Sequence, residues 1–251
     1  MADAMADVMV EEEIDRRRLT EQAGPAPVRP WVLLHYDVAR YPFAGVLQRD
    51  VYKVPSLGKL HHYVSGHYRR HGVSRNLNSE DNLTLRNLMQ VLPQDSDFFK
   101  LYHDFMLRVL APWVGASLSY SQSPKMRVHF PQTPSVSSFH HDIIVTKRID
   151  QVNFWLPFNS VDDSATLWLE SSYGSCDYRP IRVDYGQILI FDGGYIGHGT
   201  VFNATDTTRT SMDMRFSYKT ASTRADGVRL MNRMVEVARL CGGAHAAAVS
   251  V

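Results

Sequence analysis

Cysteine is scarce in this chain of 251 residues: Cys176 and Cys241 stand far apart and without company. Two such thiols do not make the disulfide framework that staples small secreted domains. Long apolar runs are missing as well. No stretch approaches the roughly 18 residues that a membrane span needs. The opening MADAMADVMVEEEIDRRR is acidic and then basic, and lacks the apolar core of a secretory leader. We therefore expect a cytoplasmic protein with no membrane partner. An excess of one charge is lacking too. Lys and Arg total 27, Asp and Glu 26, for a net charge of +1. That balance argues against nucleic acid as a partner. No internal repeat is visible.

What is present is an ordinary globular composition, 44% hydrophobic and 21% charged, enough to bury a sizeable core. Residues 1–29 combine a charge run with Gly24, Pro25 and Pro27 and lack apolar periodicity, so we expect a flexible tail there. Residues 30–251 read as a single domain. A short strand is expected around Trp31 to Leu34. A helical layer follows over 55–112. Its first helix, Leu57 to His71, carries Leu60, Tyr63, Val64, His67 and Tyr68 and stops at Gly72. Its second is capped by Asn78 or Ser79, carries Leu83, Leu85, Leu88, Met89 and Leu92, and ends at Pro93. Its third opens near Asp95 and ends near Pro112.

From about Ser117 the apolar period changes from 3.6 to 2. KMRVHF alternates, with Lys125, Arg127 and His129 on one face and Met126, Val128 and Phe130 on the other. QVNFWLPF, ATLWLES, QILIF and RTSMDMRFSY continue in the same style, separated by turn signals such as Asp162-Asp163, Gly174, Gly186 and Gly193-Gly194. Short strands packed into 117–220 suggest a sandwich or a jelly roll. Helical spacing returns over 222–241, with Val228, Met231, Met234, Val235 and Ala238 before Gly242-Gly243. The expected class is α+β, with helices from both ends packed on a β core.

The segment Phe139-His140-His141-Asp142 contains His-x-Asp. Residues two apart on an extended segment point the same way, so one imidazole and one carboxylate can grip a single ion. His198, in GGYIGHGT, is the best candidate for a third ligand. Two His and one carboxylate on one face of an ion leave three positions open, the facial triad of non-haem Fe(II) oxygenases. Those positions suit a two-point oxo-acid chelate plus dioxygen. Taken alone, His-x-Asp recurs by chance in exposed loops. His141 should point to the opposite side and serve a structural role. Arg209 stands 11 residues beyond His198 and is followed by Ser211. Alternation puts Arg209, Ser211, Asp213, Arg215 and Ser217 on one face, and Met212, Met214, Phe216 and Tyr218 on the other. An arginine fork with a nearby hydroxyl can hold a carboxylate. The competing reading is a strand whose polar face meets water.

FHHD, VNFWLPF, SATLWLESSYGSCDYRPI and YGQILIFDGGYIGHGTVFNATDTTRTSMDMRF together resemble the Fe(II)/2-oxoglutarate-dependent dioxygenases. Within them the chain is most similar to the phytanoyl-CoA dioxygenase-like enzymes, above all the StrG-like proteins of antibiotic gene clusters. The resemblance runs from Phe139 to Phe216. It implies a double-stranded β-helix, iron held by His140, Asp142 and His198, and 2-oxoglutarate anchored by Arg209 and Ser211. It implies that Asn153 and Trp155 lie on a strand lining the cosubstrate pocket, where Asn153 bonds the oxo-acid; a strand tryptophan is otherwise core. Arg127 and His129 contact cosubstrate or substrate, or form a solvated edge. Arg215 binds a substrate carboxylate or phosphate, or pairs with Asp213. Halogenases of this superfamily replace the carboxylate ligand with a small residue. Asp142 is intact, which points to hydroxylation, desaturation or epimerisation instead. The basic set Lys125, Arg127, His129 and Arg215 suits a polar or anionic small molecule. The alternatives are a cupin-type metalloenzyme that needs no 2-oxoglutarate, such as an isomerase, and a non-catalytic ligand-binding jelly roll.

Overall fold

The computed structural model describes residues 26–115, 117–220 and 223–241. Most of the expected tail and the Gly242-Gly243 stop lie outside them. In chain order the elements are β1 (Trp31–His35), α1 (Phe43–Val46, prolonged by a π-helical turn Leu47–Tyr52), and α2 (Leu60–Arg70, entered by a 3-10 turn Leu57–Lys59). Next come α3 (Ser79–Gln90), α4 (Asp97–Phe105), a π-helical turn Met106–Leu110 and α5 (Ala111–Val114). Then follow β2 (Leu118–Tyr120), β3 (Lys125–His129), α6 (Asp142–Thr146), β4 (Val152–Pro157), β5 (Leu167–Glu170) and β6 (Tyr178–Ile181). The last are β7 (Gln187–Phe191), β8 (His198–Gly199), β9 (Arg209–Tyr218) and α7 (Arg224–Cys241).

The strands form two antiparallel sheets. The larger runs β1-β7-β4-β9-β2, with β3 also paired to β9; the smaller runs β6-β5-β8. Strand alternation builds a separate core on each face of the larger sheet. Val32, Leu34, Met126, Val128, Phe154, Leu156, Ile188, Ile190, Met212, Met214 and Phe216 share one cluster with Leu60, Met89, Phe98, Phe105, Met231 and Met234 of the helices. The opposite face sends Trp155, Leu189 and Phe191 into a second cluster with Leu167 and Leu169 of the smaller sheet. The two sheets therefore face each other, and the inward polar residues of β3, β4 and β9 share that interior.

The local chemistry explains several boundaries. Asn78 accepts from the N–H groups of Glu80 and Asp81, and Asp81 returns a bond to the Asn78 N–H at 2.9 Å, a complete capping box. Pro112 does not end the third helical stretch. It sits in the first turn of α5, where a missing N–H is harmless, and the stretch stops at left-handed Gly115. Leu83 and Leu88 of α3 are exposed rather than core, because α3 turns inward through Met89 and through Asn82, which bonds Thr133 and the Phe130 N–H at the end of β3. Helices α1 and α6 and strands β6 and β8 had no counterpart in the sequence reading. No helix among the described residues is long and apolar enough to cross a membrane.

Candidate metal centre

His140 and His198 meet through an isolated antiparallel bridge. The His140 N–H donates to the His198 carbonyl and the His198 N–H to the His140 carbonyl, both at 3.0 Å. The backbone stays extended through His141, and Asp142 then opens α6. Its N–H is fastened to the Gly193 carbonyl at 2.9 Å. Each imidazole donates Nδ1–H to a carbonyl oxygen, His140 to Ser138 at 2.7 Å and His198 to Ile196 at 3.1 Å. The hydrogen-bond network thereby assigns the lone pair to Nε2 in both rings.

Those two Nε2 atoms converge on one carboxylate. His140 Nε2 lies 3.4 Å from Asp142 Oδ1, and His198 Nε2 lies 3.8 Å from Asp142 Oδ2. All three ligand atoms fall within 4.8 Å of one another. Metal–nitrogen bonds of about 2.1 Å span such a gap with little movement. Among the described residues this is the one His/Cys/Asp/Glu group of three or more with that spacing. Burial would raise the Asp142 carboxyl, but its bonds to His140 and Arg215 outweigh that and hold it below the usual carboxylate range. Burial pushes His198 down to about 4, so the ring is neutral, as a ligand must be. His141 points elsewhere, its Nε2 lying 3.5 Å from Glu170.

Arg215 pairs with Asp142 rather than with Asp213. Its Nε donates to Asp142 Oδ2 at 2.7 Å and a terminal nitrogen donates to Oδ1. Asp213, the expected partner, bonds Arg127 at 3.0 Å instead. Asn153 likewise donates to Asp142 Oδ2 at 2.6 Å, so it supports a candidate ligand, while its buried Oδ1 is left without a partner. The register explains both contacts: Asn153 of β4 stands opposite Arg215 of β9, on the inward face.

The interior between the sheets also holds a buried cation, reached from His198 through the Phe191 and Trp155 rings. Arg209 is 1% exposed, and its NH1 reaches the carbonyl oxygens of Ala165 and Thr166 at only 3.3 and 3.4 Å. Burial lowers its guanidinium to about 9, with Arg127 adding to the effect, so it stays charged at neutral pH. Arg209 Nε, Ser211 Oγ and His129 Nδ1 are buried without a hydrogen-bond partner. His129 stands opposite Arg209 in the β3–β9 register, and Ser211 follows on the same face. At Arg209, Ser211 and His129 this polar face is sealed from water, so His129 is no solvated edge, whereas Asp213 and Arg215 farther along are partly exposed. Trp155 is 3% exposed and belongs to the core between the sheets, with the Arg209 guanidinium 5.9 Å from its ring centroid. The unpaired Arg209 Nε–H and Ser211 hydroxyl can both donate to an anion at this buried charge, whereas neutral His129, its Nε2–H given to the Thr133 carbonyl, offers only an acceptor at Nδ1.

The expected basic set is not a positive surface. Arg127 and Arg215 are paired with Asp213 and Asp142, and Lys125 lies at the exposed start of β3. Burial, reinforced by Arg209, drives His129 down to about 3 and leaves it neutral. Glu170 was missed from sequence, since it reads only as the last residue of an apolar strand.

No family model matches the chain. The streptomycin biosynthesis protein StrG of Streptomyces griseus is 30% identical over 176 residues, which span 67% of this chain and 82% of that protein. Among solved structures, a non-heme monooxygenase, the ThoJ–nickel complex, superposes with a TM-score of 0.50 at 13% identity, covering 78% of this chain and 76% of the other. AviO1 from Streptomyces viridochromogenes gives a TM-score of 0.49 at 10% identity, over 84% and 96% of the two chains.

Proposed function

The chain belongs to the family of the streptomycin biosynthesis protein StrG, and from that premise we propose that it is an Fe(II)/2-oxoglutarate-dependent oxygenase that hydroxylates, or otherwise oxidises, a C–H bond of a polar small molecule in an antibiotic-type pathway. The observation that carries this reading is the buried Arg209 guanidinium, whose Nε has no partner and which no carboxylate salt-bridges among the described residues, linked through Trp155 and Phe191 to His198 of the convergent His140, Asp142 and His198. A metal ion alone would leave that cation uncompensated. A dicarboxylic oxo-acid answers both features, one end at the ion and the other at the guanidinium. We read the two facing sheets as the walls of a double-stranded β-helix, and residues 30–251 as one domain around it.

In this reading His140, Asp142 and His198 hold Fe(II), and Arg209 and Ser211 hold the distal carboxylate of 2-oxoglutarate. Bound iron, 2-oxoglutarate and dioxygen together supply the oxidising equivalent. The protein's own residues bind, orient and exclude water. The Ser138 and Ile196 carbonyls fix the imidazole tautomers. Arg215 and Asn153 fix the Asp142 carboxylate from the side strands. Trp155 and Phe191 wall the interior with apolar surface. No side chain needs to act as a general base, so the position attacked depends on placement alone.

Substrate approaches along the half-exposed strip Arg127, Asp213, Arg215 and His140. Because those charges are mutually paired, they offer both donors and acceptors and no net field for an anion. That favours a hydroxyl- or amine-bearing molecule over a nucleotide.

The test is turnover. Purified chain with Fe(II) and 2-oxoglutarate should release succinate, stimulated by one member of a panel of polar small molecules. An activity independent of 2-oxoglutarate would favour a cupin-type isomerase. Binding without turnover would favour a ligand-binding protein. Asp142→Ala or His198→Ala should abolish both metal binding and succinate release.

A further inference from the structure

Glu170 closes β5 and is fully buried, with 0% exposure. Its Oε2 accepts from the Gly197 N–H at 2.7 Å and from the Gly174 N–H at 3.4 Å. Its Oε1 accepts from the Cys176 N–H at 3.0 Å. The His141 Nε2 lies 3.5 Å from Oε2. The Glu170 N–H in turn donates to the Gly197 carbonyl at 2.9 Å. Burial alone would raise this carboxyl; the His141 contact and the Gly197 and Cys176 N–H groups outweigh it and hold it at about 2. Glu170 is therefore ionised at neutral pH.

Its contacts have a shared address. His141 stands between His140 and Asp142, and Gly197 immediately precedes His198. One carboxylate thus grips the chain next to each of the three proposed ligands. The approach at Gly197 is too close for any side chain. A Cβ there would lie 2.8 Å from the Glu170 carboxyl carbon and 2.7 Å from the Tyr178 hydroxyl.

We propose that Glu170 is a positioning residue of the metal centre, setting the separation of the 140–142 and 197–198 segments through His141 and Gly197. This rests on the assignment of His140, Asp142 and His198 as metal ligands. The chemistry of the contact asks for a carboxylate rather than an amide. Both oxygens accept a backbone N–H, and a glutamine supplies only one acceptor. Either orientation of its amide would aim an NH2 at a backbone donor, so one grip must open.

The experiment is calorimetric titration of Ni(II), which is inert to dioxygen chemistry, into the full chain and its Glu170→Gln and Asp150→Asn variants. Asp150 is also buried, at 1% exposure, but its carboxylate bonds Arg148 instead. It controls for the generic loss of a buried charge. Glu170→Gln should bind Ni(II) about tenfold or more weakly. It should also change the visible d–d spectrum of bound Co(II), which a purely structural role would leave alone. Asp150→Asn should match wild type in both. Wild-type affinity and spectrum in Glu170→Gln, or an equal loss in Asp150→Asn, would overturn the proposal. Should Glu170→Gln not fold, His141→Phe takes the imidazole away from Glu170 and leaves the Gly197, Gly174 and Cys176 bonds in place. A severalfold weaker Ni(II) affinity is then expected, and no change would overturn the proposal. Failure of wild type itself to bind Ni(II) strikes at the ligand assignment rather than at Glu170.

Discussion

Arg209 is the residue on which the cosubstrate assignment turns, because a buried guanidinium without a carboxylate costs stability unless something binds it. Arg209→Ala should raise the 2-oxoglutarate concentration needed for half-maximal succinate release by tenfold or more, and leave Ni(II) affinity unchanged by calorimetry. A change confined to the affinity for the organic substrate would place the anchor elsewhere. His129 gives a second residue-scale expectation. Its folded value of about 3 lies far below the ordinary histidine value of about 6.5. Between those values the unfolded chain holds a proton that the folded chain refuses, so stability is greatest above the upper value and falls as pH drops toward the lower one. His198 and His61, each lowered to about 4, act in the same direction, while His140, raised, opposes them. The urea midpoint of metal-free protein should fall from pH 7 to pH 5, and His129→Gln should flatten that dependence. An equally steep slope in the variant would contradict the account. At this scale the sequence revealed which groups could meet, since His-x-Asp on extended backbone and alternation on RTSMDMRFSY dictate direction. It did not reveal who pairs with whom. Arg215 found Asp142 and Arg127 found Asp213 because those partners lie on other elements, brought near only by register.

Among the elements, the strands with a two-sided job were readable. KMRVHF, VNFWLPF, QILIF and RTSMDMRFSY each send alternate residues to the helical core and to the interior between the sheets. Strand β8 was not readable, because it is two residues long and one of them is glycine. β6 was not, because Arg179 and Pro180 are exposed and carry no apolar alternation. α6 was not, because a helix of five residues is shorter than any periodic signal. α3 was found by its cap, although most of its leucines face outward. Asn78→Ala should therefore destabilise the protein by about 1 kcal/mol. Urea unfolding should register that loss, with Ni(II) binding intact. A neutral effect would mean that Asp81, which also bonds Tyr68 and Arg75, holds the helix start unaided.

The whole molecule divides its labour across one sheet. Phe154 and Trp155 are neighbours on β4, yet Phe154 faces the helical core and Trp155 the interior that carries the candidate site. Phe154→Ala should cost about 3–5 kcal/mol of stability and leave metal and 2-oxoglutarate affinities within twofold of wild type. Trp155→Ala should weaken 2-oxoglutarate binding, because the ring lies against the Arg209 guanidinium. Equal effects of the two substitutions on cosubstrate binding would deny that separation.

Iron and cosubstrate together offer the sharpest test of the assigned chemistry. Fe(II) and then 2-oxoglutarate should be added to the purified chain without oxygen and the visible spectrum recorded. A weak charge-transfer band should develop only when both are present, and should be missing in His198→Ala. A chain that takes up Fe(II) yet stays featureless in the visible range under saturating 2-oxoglutarate would contradict the assignment.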